Sequence, residues 1–272
     1  MPTPPPSRPD PQPHRHRRVA ESFGVDAARY DRARPRYPEA LIDRIVARAP
    51  GREVLDVGCG TGIAARQFAA AGCRVLGVEP DVRMAEFARG SGLDVEVATF
   101  EEWDDAGRQI DAVVAGQAWH WVDPAAGPVK AARLLRPGGR LAVFAQVIGP
   151  PSPVYEAQVE AVRRVAPDSP FVTQGAAAAR DAVPIYESMI DTFAAGMRPV
   201  DELGEPERSR FDWERTYTRA EWLDLAPTTG VLTPLPPERV AEVLEQVGAA
   251  IEAIGGSFVM RYTALSVSAL RT

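Results

Sequence analysis

Short apolar runs and amphipathic segments alternate between residues 53 and 147 of the chain. The apolar run EVLDV at 53–57 predicts a buried strand, and helical spacing at 63–71 predicts a helix after it. The alternation continues with predicted strands at 74–79, 93–98, 109–116 and 140–147 and predicted helices at 82–89 and 128–135. Strands that alternate with helices build a parallel sheet with helices on both faces, so this region predicts an α/β fold.

The regular alternation ends at the proline-rich turn GPPSP, residues 149–153. Residues 154–205 show helical spacing without a strand pattern, which predicts a mostly helical insertion at about 150–207. The loop after the fifth strand reaches the edge where such sheets bind ligands, so we expect the insertion to form a lid. Further along, the pattern predicts a strand at 211–218, a helix at 238–253 and a last strand at 258–270.

The beginning of the chain has a different composition. Residues 1–18 are rich in proline and end in the basic run HRHRR, so we expect a disordered tail whose basic cluster is solvated. Helical spacing at 19–30 and 39–49 predicts two helices, separated by an extended turn at the prolines of RARPRYP (32–38). Residues 19–272 are therefore predicted to form one domain.

Composition and charge narrow the function classes. The 272 residues carry a net charge of −6 and are 45% hydrophobic and 25% charged, as in an ordinary globular protein. This balance argues against a nucleic-acid binder, which usually has a basic face. Two cysteines, Cys59 and Cys73, are too few for a disulfide scaffold, and no apolar run reaches the roughly 18 residues of a membrane span. We expect a cytoplasmic monomer or homodimer that acts on a small molecule and binds neither membranes nor nucleic acids.

Three glycines, Gly58, Gly60 and Gly62, follow the first predicted strand at alternate positions. A strand that ends in such a turn and opens a helix points backbone N–H groups at a polar ligand. The dinucleotide fingerprint G-x-G-x-x-G would need a third glycine where this chain has Ile63. Asp56, just before the loop, suits a ligand that carries an ammonium group better than it suits a pyrophosphate.

Residues after the next predicted strands favour a nucleoside. Glu79 ends the second strand, where a carboxylate accepts hydrogen bonds from both hydroxyls of a ribose. Phe100 and Glu101 follow the third strand, where an adenine ring would lie against an apolar surface. GQAWHWVD (116–123) follows the fourth strand, and LLRPGGRLAVF (134–144) leads into the fifth.

Together these motifs resemble those of the class I S-adenosylmethionine-dependent methyltransferases, in particular the small-molecule type that includes the trans-aconitate methyltransferase-like proteins. The resemblance rests on VLDVGCGTG (54–62), VEP (78–80), Q-A-x-H-W (117–121), the RPGG turn (136–139) and an upstream Y…RPxYP element (30–38). It implies a Rossmann-like, seven-stranded, mostly parallel sheet sandwiched by helices, with the last strand antiparallel between the fifth and the sixth. It also implies S-adenosylmethionine as cofactor and S-adenosylhomocysteine as product.

The resemblance implies a set of cofactor-binding residues. The glycine loop, with Cys59 inside it, would hold the methionyl part, and Asp56 would lie near the amino group. Tyr30 and Arg34 would close over the carboxylate. The full expected set is Tyr30, Arg34, Asp56, Gly58, Cys59, Gly60, Gly62, Glu79, Pro80, Met84, Thr99, Phe100, Glu101, Gln117 and Ala118.

The adenosine end of this expected site differs from that of many relatives. Pro80 and Met84 would flank the ribose and the adenine. Thr99 stands where many relatives have an acidic residue that holds the adenine amino group. That contact would fall here to a backbone carbonyl or to Glu101.

For methyl transfer from a sulfonium, the protein mainly aligns the nucleophile and excludes water, and no metal is needed. The sequence has no metal-ligand cluster, so we expect none. His120, after the fourth strand, is the candidate catalytic base because an ordinary histidine pKa suits proton abstraction at neutral pH. A structural role for His120 in its loop is at least as well supported. Trp119 and Trp121 are candidates to wall the acceptor, with core packing as the alternative.

As function, the sequence predicts S-adenosylmethionine-dependent methyl transfer to oxygen, nitrogen or carbon of a small molecule. A bacterial secondary metabolite or a small carboxylic acid is the expected acceptor. Two alternatives stay open: methylation of a macromolecule such as tRNA or protein, and binding of the cofactor without methyl transfer.

Overall fold

The central feature of the fold is one seven-stranded sheet. The computed structural model describes residues 22–169, 172 and 182–272; the predicted tail at 1–18 lies outside the described residues, as do 170–171 and 173–181 of the insertion. The strands are Glu53–Val57 (β1), Arg74–Val78 (β2), Asp94–Glu96 (β3), Ile110–Gly116 (β4), Leu135–Gly149 (β5), Glu207–Thr218 (β6) and Ser257–Leu270 (β7).

The strand order is β3-β2-β1-β4-β5-β7-β6. β1 to β5 pair in parallel with their neighbours, and β7 runs antiparallel between β5 and β6. The predicted Rossmann-like sheet, with its last strand antiparallel between the fifth and the sixth, is confirmed.

Helices flank this sheet. Within the described residues the α-helices are Ala27–Ala33 (α1), Glu39–Arg48 (α2), Ile63–Ala70 (α3), Val82–Gly90 (α4), Ala126–Leu134 (α5), Ser152–Val165 (α6), Val183–Met197 (α7), Arg219–Leu225 (α8) and Pro237–Ala253 (α9). Short 3-10 helices lie at Ser22–Asp26, Trp119–Trp121 and Ala226–Thr228. None of these described helices has both the length and the apolar character that crossing a bilayer requires.

Successive residues of the central strands point to opposite faces of the sheet, so each face has its own core. In β4, Val113 packs in a cluster that includes residues of α5 and α7, while Val114 packs in a cluster that includes residues of α2 and α3. Both valines are fully buried. Strands buried on both faces explain why β1 and β4 read as continuous apolar runs in the sequence.

The first predicted helix, at 19–30, differs from the structure in its described part. A 3-10 turn at Ser22–Asp26 precedes α1, and Asp26 Oδ1 accepts a hydrogen bond from the backbone N–H of Arg29 at 2.9 Å. This capping bond starts α1 at Ala27 because aspartate satisfies the free N–H groups of a helix end. The helix then continues past residue 30 and ends at Ala33.

The described part of the predicted insertion is mostly helical, with turns and irregular structure between α7 and β6. α6 packs beside α9, and α7 lays Ile190, Ala194 and Met197 on the sheet core. Tyr186 of α7 reaches the cavity described below. That the insertion works as a lid stays a prediction.

Candidate functional site

A cavity of about 630 Å³ opens at the carboxyl ends of β1, β2 and β4. This is the edge at which open α/β sheets bind ligands. The residues predicted for the site that line the cavity are Tyr30, Arg34, Asp56, Gly58, Cys59, Gly60, Glu79, Pro80, Met84, Thr99, Phe100, Glu101, Gln117, Ala118, His120 and Trp121. The fold therefore brings together side chains that are spread over ninety residues of sequence.

Two of the predicted site residues, one cofactor-binding glycine and one acceptor-wall tryptophan, do not line the cavity. Gly62 has a φ of 87° and precedes α3, where a Cβ atom would lie 2.3 Å from Cδ1 of Leu93. Trp119 is only 3% exposed, and its ring centroid lies 5.9 Å from that of Phe100. The structure gives Gly62 a role in the turn and places Trp119 in the core, which was the alternative for that side chain.

The glycine loop is held against β2 by backbone hydrogen bonds. The N–H of Gly58 donates to the carbonyl of Val78 at 2.8 Å, and the N–H of Gly60 donates to Glu79 Oε2 at 2.8 Å. Both glycines have positive φ angles, which side chains disfavour. A Cβ on Gly58 would lie 2.5 Å from the Cβ of Ala118, whereas one on Gly60 would meet nothing within 4 Å. The loop therefore leaves open space beside Gly60.

Glu79 is buried at the end of β2 and ties two backbone segments together. Its Oε2 accepts the N–H of Gly60, and its Oε1 accepts the N–H of Asp81 at 2.9 Å. Burial raises the pKa of Glu79 to about 7. Each carboxylate oxygen keeps a lone pair, so both can still accept a hydrogen bond from a ligand.

Asp56 is the most poorly satisfied polar side chain of the site. It is 1% exposed, and neither oxygen has a hydrogen-bond partner of good geometry, although the backbone of Ala65 slightly favours its charged form. Burial and then the charge of Glu79 raise the pKa of Asp56 to about 8. Thr61 Oγ1 is also buried without a partner. Since buried polar groups are nearly always paired, these atoms mark a place built for a polar ligand.

Arg34 supplies the cavity with a cation. Its Nε donates to Thr228 Oγ1 at 3.0 Å and its Nη2 to the carbonyl of Thr228 at 2.5 Å. The guanidinium carbon lies 4.9 Å from the ring centroid of Tyr30. In the described part of the chain Arg34 forms no ion pair with a carboxylate, so its charge remains available to an anionic group.

The loop after β3 is tied to the loop after β4. Glu101 Oε1 accepts a hydrogen bond from the backbone N–H of Asp123 at 2.6 Å, and Thr99 Oγ1 donates to Glu102 Oε2 at 3.0 Å. One oxygen of Glu101 is thus engaged within the protein. Its other oxygen is the one left for a ligand.

His120 is neutral at physiological pH because burial lowers its pKa to about 4. Its ring centroid lies 4.7 Å from that of Trp121. No carboxylate contributes to the pKa shift of His120, so the carboxylate–histidine pairing that raises basicity is absent among the described residues. Burial likewise raises the pKa of the Cys59 thiol, which disfavours a thiolate.

Gln117 has the unusual backbone of the site. Its φ is 57°, a left-handed conformation rare outside glycine, and such strain clusters at functional positions. The side-chain Nε2 donates to the carbonyl of Gln146 at 2.9 Å. This bond fixes the amide of Gln117 at the cavity wall.

The sequence reasoning missed part of the cavity wall. The unassigned lining residues include Phe23, Tyr37, Ile148, Tyr186, Thr229, Gly230 and Val231. Tyr37 belongs to the RPxYP element, which was the one available signal. Its backbone N–H and carbonyl both bond to the side chain of Gln67, at 2.9 and 2.8 Å, and its hydroxyl approaches Gly116. The others come from segments with no motif of their own.

Within the described residues, no group of three His, Cys, Asp or Glu side chains is placed so that it could hold a metal ion.

Comparison with known proteins finds similarity to methyltransferases. Residues 55–143 match the family described as "Methyltransferase domain". An uncharacterised methyltransferase of Mycobacterium tuberculosis is 42% identical over 128 residues, which cover 46% of this chain and 52% of that protein. A ubiquinone biosynthesis O-methyltransferase of Methylocella silvestris is 32% identical over 128 residues, 44% of this chain and 46% of that one. The chain thus spans about half the length of the curated relatives it matches.

Solved structures give the same fold over more of the chain. A candidate type II methyltransferase from Anaeromyxobacter dehalogenans superposes with a TM-score of 0.61 at 23% identity, covering 86% of this chain and 97% of that one. At this identity the similarity concerns the fold alone. Residues 55–143 thus match a methyltransferase domain, and these similarities support the resemblance of this chain to the class I S-adenosylmethionine-dependent methyltransferases that its motifs indicate.

Proposed function

We propose that the protein transfers the methyl group of S-adenosylmethionine to an oxygen, nitrogen or carbon atom of a small molecule. The observation that carries the proposal is the unpaired, buried carboxyl of Asp56 beside Glu79 and the glycine loop, all facing one cavity. An ammonium group near Asp56 and ribose hydroxyls on Glu79 would satisfy both carboxylates. The matched methyltransferase domain, residues 55–143, contains all three features.

The chain's residues fit this cofactor at both ends. Arg34, beside the ring of Tyr30, offers free donors to a carboxylate. Met84 and Pro80 offer an apolar wall to the ribose and adenine, and Phe100 offers one to the adenine face. When bound, the cofactor supplies an already activated methyl group on its sulfonium.

The rest of the cavity supports a small, partly apolar acceptor. Phe23, Tyr37, Trp121 and Tyr186 line it outside the expected cofactor residues. Aromatic walls with a few polar groups are typical of small-molecule sites. Within this class we propose a bacterial secondary metabolite or a small carboxylic acid as acceptor.

The residues on the acceptor side of the cavity orient the acceptor rather than remove a proton from it. His120 is neutral at pH 7 and, with a pKa of about 4, is a weak base. It can accept a hydrogen bond from the acceptor, and the aromatic side chains around it exclude water. This arrangement favours acceptors that are already ionised or that need no proton removed before methyl transfer.

Labelled cofactor tests the proposal. Purified protein is incubated with S-adenosylmethionine carrying a labelled methyl group and with a panel of phenols, amines, enols and carboxylic acids. We expect label in at least one small acceptor and production of S-adenosylhomocysteine. Protein that retains NAD or a flavin in this cavity and ignores both S-adenosylmethionine and its demethylated product would contradict the proposal.

The same assay decides between the alternatives. Label in added tRNA or protein, with binding that weakens steeply with salt, would replace the small molecule by a macromolecule. Tight cofactor binding without transfer to any member of the panel would favour a binding protein.

A further inference from the structure

Lys130 is the single lysine among the 31 lysine and arginine residues of the chain. It lies on α5, and its ammonium group reaches the loop after β3. Nζ donates to the backbone carbonyl of Glu101 at 3.2 Å and to that of Trp103. No sequence motif drew attention to it.

Two aromatic rings complete the surroundings of this ammonium group. Nζ lies 5.4 Å from the ring centroid of Phe100 and 5.6 Å from that of Trp103. Both rings are almost fully buried. A cation at this distance is attracted to a ring face, so Lys130 binds the loop through two carbonyls and two rings at once.

The loop that Lys130 holds carries cavity residues but has little strand pairing of its own. β3 is only three residues long, and Thr99, Phe100 and Glu101 follow it. Trp103 adds one anchor, since its Nε1 donates to Glu96 Oε2 at 2.5 Å. Without Lys130, the carbonyls of Glu101 and Trp103 would lose their donor on the side facing α5.

We infer that Lys130 is a positioning residue that fixes the loop 99–103 in the conformation that receives the adenine of the cofactor. This inference rests on the proposed function for its ligand, whereas the anchoring of the loop does not depend on it. Lys130 acts from behind the loop and is not among the residues that line the cavity. A compact ammonium suits two carbonyls and two rings, whereas the planar guanidinium of an arginine does not fit the same space as well.

Lys130→Met tests the inference because it keeps the aliphatic length and removes the donors. We expect the Kd for S-adenosylhomocysteine to rise about tenfold by calorimetry, and the KM for S-adenosylmethionine to rise similarly while kcat at saturation changes less than about twofold. Lys130→Arg restores the charge and should give a Kd between those of the wild type and the methionine variant.

Arg133→Met is the matched control. Arg133 lies on the same helix and pairs with Asp105, just after the loop, at 2.7 Å, with the arginine side chain largely exposed. An exposed pair contributes little, so this variant should bind the product as the wild type does. An equal loss in both variants would show that charge, and not carbonyl anchoring, matters, and it would overturn the inference.

Hydrogen exchange in the ligand-free protein separates the two claims. Lys130→Met should speed exchange of the backbone amides at 99–103, including that of Trp103, which donates to the carbonyl of Thr99. Unchanged exchange would refute the anchoring, whatever the ligand is. Wild-type protein that fails to bind the product would instead refute the proposed function and the adenine part of the inference, while the exchange result would still stand.

Discussion

Asp56 and Glu79 end neighbouring parallel strands, and burial raises the pKa of both carboxyl groups. The backbone satisfies Glu79 twice, whereas Asp56 has no partner of good geometry. These two side chains were predicted from the sequence because a carboxylate at a strand end is a local signal. The missing partner of Asp56 could be seen only in three dimensions.

Glu79→Ala should remove most of the cofactor affinity. Each hydrogen bond to a charged group is worth about 1.5–3 kcal/mol, so losing two to the ribose costs about 100-fold or more in Kd. Calorimetry with S-adenosylhomocysteine measures this loss. The exposed Glu86 of α4 gives the control, since Glu86→Ala removes the same charge without touching the cavity. Unchanged affinity in the Glu79→Ala variant would show that the ribose does not bind Glu79.

The stability of the ligand-free protein should fall as the pH rises. Burial raises the pKa of Asp56 from 3.8 to about 8, so the folded state holds a proton that the unfolded chain releases above about pH 4. The stabilisation is complete below the unfolded pKa and is lost as the pH rises through about 8. Asp56→Asn should flatten this dependence between about pH 4 and 8, measured by thermal denaturation. An identical pH dependence in both proteins would contradict the shifted pKa.

His120 should titrate far below an ordinary histidine. Since burial lowers its pKa to about 4, its ring protons should shift in the NMR spectrum only below about pH 5, and a His120→Gln variant identifies the signal. The pH profile of the methyl-transfer rate in the wild type should therefore have no inflection near pH 6.5 that the His120→Gln variant lacks. Such an inflection would restore His120 as a base.

The helix α1 is fixed to α8 by arginines. Asp224 accepts hydrogen bonds from Arg29 at 3.1 Å and from Arg32 at 2.9 Å through each of its oxygens. Next to these bonds, Arg34 is held by Thr228. This joint places Tyr30 and Arg34 over the cavity, and nothing local in the sequence connects residues that lie almost 200 positions apart.

Asp224→Ala should loosen α1 and weaken cofactor binding several-fold. The pairs are partly exposed, so the loss of global stability should be small. Trypsin should cleave faster after Arg29 or Arg32, which limited proteolysis measures. Asp191→Ala, which breaks an exposed pair with Arg208, is the control. Equal cleavage rates in the two variants would argue against the joint.

Strand positions in the core were predictable, and their ends were less so. The observed ends of β1 match the predicted ends because its apolar run lies between a charged residue and a glycine. β5 was predicted at 140–147 but spans Leu135–Gly149, since Leu135 pairs with Ile110 ahead of an irregularity in the register. β6 begins at Glu207 and not at 211, because the polar start of an edge strand does not alternate visibly.

Across the whole molecule, the sheet order follows from the resemblance and the cavity floor follows from strand ends. The residues that form the cavity roof follow from neither. Phe23, Tyr186 and Val231 come from three separate segments that only the folded chain brings together. Periodicity reports burial and cannot tell a core side chain from one that faces a cavity, which is also why the sequence left Trp119 open between the acceptor wall and the core.

β7 should be indispensable for the fold. It pairs with β5 from Arg140 to Gly149 and with β6 along the whole of that strand. A chain ended after Gly256 should therefore lose its cooperative thermal transition, as followed by circular dichroism. A chain ended after Leu270 loses only Arg271 and Thr272 and should keep it. A cooperative transition in the shorter chain would show that β1 to β5 suffice.

The position of β7 also has a consequence for synthesis. β5 and β6 leave the ribosome before the strand that must lie between them. With about a hundred residues between the end of β5 and the start of β7, and translation at about 5–20 residues per second, the nascent sheet waits on the order of ten seconds with an open edge. During that interval the exposed apolar edge of β5 is a natural target for a chaperone.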